Sequence, residues 1–148
     1  ISSPHDIFAK PQNTFVAGFI GTPQMNISDC NISEINSKEL TVKVLNQSIK
    51  ITFDENLNVN KEDNYFLGIR PRSFDLTETD TPQTFSGQVD LVENMGSEVL
   101  LHVKVGDASF RTVQSRSHKI KTGDKISLLP KKGQVHLFDS NGKVIRNE

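Results

Sequence analysis

The sequence predicts a mainly β protein, in which short antiparallel strands close into small barrels after two short N-terminal helices. Apolar and polar residues alternate at residues 40–45 and 48–53, and this period of two is the pattern of half-buried strands. The second half of the chain contains short β-prone runs at even spacing, separated by turns rich in glycine and asparagine. Most of the regular structure is therefore expected to be β.

Two short helices are expected before the first strand. The first is predicted at residues 4–9, because Ser3 can cap it and Pro4 occupies the first helical position, where an N–H group is not needed. The second is predicted at residues 14–19, with Asn13 as its N-terminal cap.

The region after the helices is predicted to consist of two β subdomains. A polar connector at residues 76–83 favours a first β subdomain at about 23–76 and a second at about 77–148. Before the connector, strands are expected at residues 40–45, 48–53 and 65–70. After it, strands are expected at residues 84–92, 98–105, 108–114, 125–129, 134–138 and 143–145. Such a series is typical of a small barrel of the oligonucleotide- and oligosaccharide-binding (OB) type.

The composition excludes several classes of function. A net charge of −1 over 148 residues argues against nucleic-acid binding, which favours a strongly basic face. A single cysteine, Cys30, excludes an internal disulfide and a cysteine-based zinc site. The chain has no G-x-x-x-x-G-K-[ST] phosphate-binding loop. Its four histidines are spread singly, without the spacing of a local metal site: His5, His102, His118 and His136. No catalytic, metal or cofactor site is expected in this chain.

The turn that follows the strand at residues 84–92 is a candidate docking surface. Two carboxylates flank a glycine turn with a methionine between them, which suits both an ordinary hairpin and a loop that contacts a partner. The candidate residues are Glu93, Asn94, Met95, Gly96, Ser97 and Glu98.

A group of basic residues further along the chain is a candidate anion site. Its members are Arg111, Arg116, Lys119 and Lys121. The competing interpretation is a solvated face, because the strands lack the exposed aromatic platform of single-strand nucleic-acid binders.

Several phrases of the sequence resemble one family of transport proteins. Residues 4–26 read PHDIFAKPQNTFVAGFIGTPQMN and closely resemble the segment after the nucleotide-binding domain in importer ATPases of the maltose and multiple-sugar type. Residues 67–71, L-G-I-R-P, resemble a phrase of the same family. Residues 92–98 and 136–139 resemble its transport-associated OB (TOBE) module. Arg72 departs from the pattern, because the family usually has glutamate after Arg-Pro.

The resemblance covers residues 4–27 and 67–142, whereas residues 28–66 fit only by position and strand pattern. It implies that residues 1–22 are the tail of an ATPase domain and that the rest is a regulatory extension. ATP and magnesium would bind in that ATPase domain, so this chain alone is not expected to be an enzyme. The whole subunit would lie in the cytoplasm, attached to the inner face of the membrane through its permease.

The function implied by the resemblance is regulation and dimerisation. Two copies would tether the ATPase halves to each other, and the domains would receive cytosolic regulators of sugar uptake, with residues 93–98 as part of the docking surface. The alternative is a small-ligand module, in which the barrels bind a sugar or an oxyanion near residues 111–121.

Overall fold

The computed structural model describes residues 24–145, which fold into two five-stranded antiparallel sheets. The first strands in chain order are β1 (Asn26–Asn36), β2 (Glu39–Val44), β3 (Gln47–Thr52) and β4 (Asn64–Ile69). The remaining strands are β5 (Phe74–Thr77), β6 (Phe85–Asn94), β7 (Glu98–Val105), β8 (Ala108–Ser115), β9 (Lys125–Pro130) and β10 (Val135–Phe138). The helical segments of this region are two 3-10 turns, Pro71–Ser73 and Arg116–His118.

The strand order shows how the chain passes between the two sheets. The first sheet has the order β10–β4–β1–β2–β3, and the second has the order β5–β9–β6–β7–β8. β10 therefore returns to the first sheet, where Phe138 lies opposite Phe66 of β4. The pairing of β10 with β4 thus joins the end of the described residues to a strand that precedes residue 76. The subdomain boundary near residue 76 stays a prediction.

The mainly β prediction is confirmed, with differences at particular segments. The helices predicted at residues 4–9 and 14–19 lie outside the described residues, and residues 24–145 form no α-helix. The strand predicted at residues 143–145 is reduced to a single bridge between Phe138 and Val144. Neither β1 nor β5 was predicted from the sequence.

β1 lies at the centre of the first sheet, although its sequence is polar. Its buried side chains alternate along the strand at Asn26, Ser28, Cys30 and Ile32. The period of two is therefore present in the burial pattern but not in the hydrophobicity, which is the signal that sequence analysis uses. The strand pairs with β2 on one side and β4 on the other.

A single hydrophobic core joins the two sheets. It contains residues of the first sheet, such as Val42 and Ile49, together with three phenylalanines of the second. The ring centroid of Phe85 lies 5.3 Å from that of Phe110, and the ring of Phe74 lies 6.0 Å from Phe110. These edge and tilted ring contacts fill the interior of the second sheet with side chains.

A smaller cluster on the opposite face of the first sheet explains one of the sequence phrases. Met25, Phe66 and Phe138 are buried together there. A Cβ atom on Gly68 would lie 2.7 Å from the Met25 sulfur and 2.8 Å from the Phe138 ring. Only glycine fits at this position without displacing its neighbours, which accounts for the glycine in the L-G-I-R-P phrase.

Two side-chain amides form hydrogen bonds between the sheets. The Asn26 side chain donates to the main-chain oxygen of Arg111 and accepts from its N–H, both at 2.8 Å. The Gln47 side chain makes the same double contact with the main chain of Ser86, at 3.1 Å. Each amide thus takes the place of a neighbouring strand and satisfies main-chain groups that would otherwise lack a partner.

Side chains also bond the two edges of the second sheet. Its edge strands are β5 and β8. The Thr112 hydroxyl of β8 donates to the main-chain oxygen of Pro71, and the Gln114 amide donates to that of Phe74 at the start of β5. The two edges of the sheet are therefore joined, as in a barrel, but by side-chain hydrogen bonds and not by main-chain pairing. These bonds cover the edges and protect them from pairing with another strand.

Replacement of Asn26 by alanine is expected to destabilise the fold by about 2–4 kcal/mol, because both main-chain groups of Arg111 lose their partner. The measurement is the free energy of unfolding from urea denaturation. Asn58→Ala, at an exposed position, is the control and should change stability by less than about 0.5 kcal/mol. Equal stability of the two variants would contradict a role for Asn26 in joining the sheets.

Candidate functional site

The predicted docking surface is the turn of the β6–β7 hairpin. The two strands pair up to Asn94 and Val99, and the Met95 N–H donates to the main-chain oxygen of Glu98 at 2.9 Å. The Asn94 side chain accepts a 3.2 Å hydrogen bond from the N–H of Gly96. Gly96 has φ +94°, a conformation that glycine adopts without strain. The sequence E-N-M-G-S-E therefore forms a tight and well-bonded turn.

Two arginines from distant parts of the chain brace this turn. Arg116, just after β8, donates its main-chain N–H to the oxygen of Ser97 at 3.0 Å and its guanidinium to the oxygen of Gly96 at 3.2 Å. Arg72, in the Pro71–Ser73 turn, forms a 2.8 Å ion pair with Glu98. These contacts link the hairpin turn to the end of β8 and to the Pro71–Ser73 turn.

The ion pair explains the departure from the family pattern at Arg72. The resemblance predicts a carboxylate at this position, and the structure has a guanidinium that hydrogen-bonds to Glu98. This hydrogen bond lowers the pKa of the Glu98 carboxyl and so favours its charged form. A glutamate in place of Arg72 would instead face the carboxylate of Glu98.

The outer face of the hairpin carries an exposed apolar and acidic surface. Leu91 is 50% exposed and Met95 is 43% exposed. A β-bulge between Val89 and Leu91 shifts the register, so that Leu91 lies opposite His102. The ring of His102 lies 2.6 Å from a carboxylate oxygen of Glu93. Leu91, Glu93, Met95 and His102 are called the hairpin patch below.

The four residues of the predicted anion site make different local contacts. The main chain of Arg111 is bonded to Asn26, and Arg116 is bonded to the hairpin turn. Lys119 adopts φ +55° at the end of the Arg116–His118 turn, and the Lys121 N–H donates to the Asp124 carboxylate. Both lysines are exposed. Anion binding by these residues stays a prediction.

The single cysteine has no reactive surroundings. Cys30 is buried in β1, and burial, together with the nearby charge of Asp29, raises the pKa of its thiol to about 12. The thiolate, which is the nucleophile and metal ligand, is therefore disfavoured. Within residues 24–145 there is no group of three or more His, Cys, Asp or Glu side chains that could hold a metal ion. In the same residues no helix has the length and hydrophobicity to span a membrane.

One histidine has an altered protonation equilibrium. His136 lies half-buried in β10, with its ring centroid 6.2 Å from that of Phe138. Burial, and secondarily the positive charge of Arg70, lower the pKa of His136 below its usual value of 6.5. The neutral imidazole is therefore the form that the fold favours.

The comparisons with known proteins agree with the sequence phrases. Residues 67–138 match the family model described as the TOBE domain. The maltose/maltodextrin import ATP-binding protein of Vibrio parahaemolyticus is 36% identical over 149 residues, which cover 99% of this chain and 40% of that protein. The trehalose/maltose import ATP-binding protein of Thermococcus litoralis is 30% identical, and the match covers 98% of this chain and 41% of that protein. The multiple sugar-binding transport ATP-binding protein of Streptococcus mutans is 30% identical, and the match covers 95% of this chain and 38% of that protein.

A solved structure shares the fold. The cytoplasmic molybdate-binding protein ModG, with molybdate bound, superposes with a TM-score of 0.62 at 12% identity. The match covers 77% of this chain and 95% of that one. It supports the OB-like arrangement of two antiparallel sheets. The chain itself spans about 40% of the length of the curated relatives named above.

The stability of the fold is expected to fall as the pH decreases below about 6.5, because the unfolded chain binds a proton at His136 more readily than the native chain does. The measurement is the free energy of unfolding between about pH 7 and pH 5. His136→Gln should reduce the slope of this dependence, and Gln134→Ala, at an exposed and non-titrating position two residues away, should leave it unchanged. If both variants keep the parent slope, the assignment of this titration to His136 is wrong.

Proposed function

Residues 67–138 belong to the TOBE domain family, and from this premise we propose that the chain is the regulatory and dimerisation domain of the ATP-binding subunit of a carbohydrate importer. The complete subunit binds ATP and magnesium in a separate ATPase domain and couples hydrolysis to sugar import through membrane permease subunits. It lies at the cytoplasmic face of the membrane. The described domain itself carries no catalytic role.

The relatives support this assignment by their names and by their lengths. Each of the three named above is an ATP-binding protein of a sugar transport system. The chain is matched over nearly its whole length but accounts for about 40% of theirs. The remaining length in such subunits is large enough for a separate ATPase domain.

Dimerisation gives the domain its first role. Two copies that stay associated keep the attached ATPase halves at a high effective concentration for each other while they open and close. A two-fold pair also presents the same surface twice, once on each subunit. The family resemblance supports this arrangement, with the domains as a hinge below the permease.

The hairpin patch gives the domain its second role, as a docking site for a cytosolic regulatory protein. The observation that carries this proposal is the exposure of Met95 on a turn that two arginines contact, and of Leu91 on the strand that leads into it. A turn fixed in the free protein costs little conformational entropy on binding. Asp90 is exposed and precedes Leu91 in the chain, and Glu93, whose carboxylate is paired with His102, lies between Leu91 and Met95 on the same strand face. The partner that fits this patch therefore presents an apolar pocket with basic groups around it.

The regulator acts through differential affinity. A protein that binds the domain only when the ATPase halves are apart shifts the population toward that resting arrangement. The extent of the shift is set by the ratio of its affinities for the two arrangements. A protein bound at the hairpin patch can thus inhibit import without contact with ATP.

Leu91→Ser combined with Met95→Ser in the intact subunit is expected to weaken regulation, because the exposed apolar contacts are lost. Removal of two central contacts should lower the affinity of the regulator about tenfold or more. The measurement is uptake of the imported sugar by cells with and without a preferred carbon source, which the proposal expects to reduce uptake by the parent.

Ile35→Ser is the matched control, because Ile35 is 42% exposed and lies on the β1–β2 hairpin of the other sheet. Uptake by this variant should respond to the preferred carbon source as the parent does. The docking proposal is contradicted if the double variant is inhibited as strongly as the parent, or if Ile35→Ser has the same effect.

A further inference from the structure

A cavity of about 610 Å³ opens on the outer face of the first sheet. Asn31 of β1 lies at its centre, directly opposite Lys43 of β2 on one side and Asn64 of β4 on the other. Side chains at directly opposed positions lie on the same face of a sheet, with Cβ atoms about 4.5–5.5 Å apart. The pairing of the three strands therefore brings an ammonium group and two amides into one row.

The walls of the cavity add a carboxylate and apolar surface. Asp29 lies on the same strand face, two residues before Asn31, and opposite Phe66 of β4. Leu45 and Asn46 form the turn between β2 and β3 and border the cavity at another side. The site combines a row of polar groups with an apolar wall.

The polar groups of this row are available to a ligand. The side chains of Asn31, Lys43 and Asn64 are exposed and form no hydrogen bond or ion pair with other residues in the range 24–145. This distinguishes them from Asn26 and Gln47, whose amides are bonded to main-chain groups. Their hydrogen-bonding capacity is not used by the fold.

The charge and the donor set define the class of ligand. Lys43 and Asp29 carry opposite charges, so the cavity has no net formal charge and favours neither an anion nor a cation. Each amide offers both donor and acceptor atoms, which match hydroxyl groups that donate and accept at once. The volume lies within the range of about 300–1,000 Å³ that is usual for small-molecule sites.

We infer that this cavity binds a neutral polyhydroxylated molecule of the size of a mono- or disaccharide. Hydroxyl groups contact the Asn31 and Asn64 amides and the charged ends of Asp29 and Lys43, while the apolar face of the ligand lies against the partly exposed Leu45. The inference does not depend on the docking role, because the cavity lies on the first sheet and the hairpin patch on the second. A sugar in the cytosol is thereby given a direct site on the regulatory domain.

The site can be tested by NMR titration of the ¹⁵N-labelled chain with maltose and with trehalose. A saturable shift is expected for the main-chain signals of Asn31 and Asn64 with at least one of the two sugars. Asn31→Ala combined with Asn64→Ala should lower the affinity about tenfold or more, because both amides that bind the sugar hydroxyls are lost. Asn58→Ala removes an exposed amide outside the cavity and should leave the affinity unchanged.

Three results would overturn the inference. The first is the absence of a saturable shift at these residues with both sugars. The second is an unchanged affinity in the double variant, provided that its spectrum remains that of the folded chain. The third is tighter binding of inorganic phosphate than of either sugar at the same residues, which would make the cavity an anion site.

Discussion

The arrangement of the whole domain depends on the hydrogen bonds that side-chain amides make across the two sheets. A hydrophobic core holds sheets together but is non-directional and leaves their relative position adjustable. The Asn26 and Gln47 amides add direction, because each pairs with both main-chain groups of one residue in the other sheet. A main-chain bond from Lys50 to the oxygen of Pro82 adds a third connection. The two sheets are therefore fixed in position as well as packed.

The position of the candidate docking surface depends on these inter-sheet hydrogen bonds, because β8 connects the two. Asn26 bonds the outer edge of β8 at Arg111, and Thr112 and Gln114 bond the same strand to residues at and before β5. Arg116 follows directly at the end of β8 and holds the hairpin turn. The position of the turn is thus set by contacts that begin in the other sheet. A turn that is already held in place in the free protein loses little conformational entropy when a partner binds to it.

Much of the fold could be predicted because alternation of apolar and polar residues directly reflects burial in β2, β3, β7 and β8. β1 could not, since its inward positions include the polar residues Asn26 and Ser28. The burial of Asn26 becomes favourable through hydrogen bonds to Arg111, which is distant along the chain. The cavity around Asn31 was missed for the same reason, because its central strand was not recognised. The hairpin turn was found from E-N-M-G-S-E, but its braces were not, as Arg72 and Arg116 are distant along the chain.

The central claim is that this domain holds two ATP-binding subunits together. Sedimentation equilibrium of the chain over a concentration series tests it most directly, because the chain without its ATPase domain must then associate by its own surfaces. The account predicts a mass that rises from monomer to dimer, with a dissociation constant in the micromolar range or below. A mass that remains that of the monomer at the highest concentration would contradict the tether and leave reception of regulators as the function of the domain.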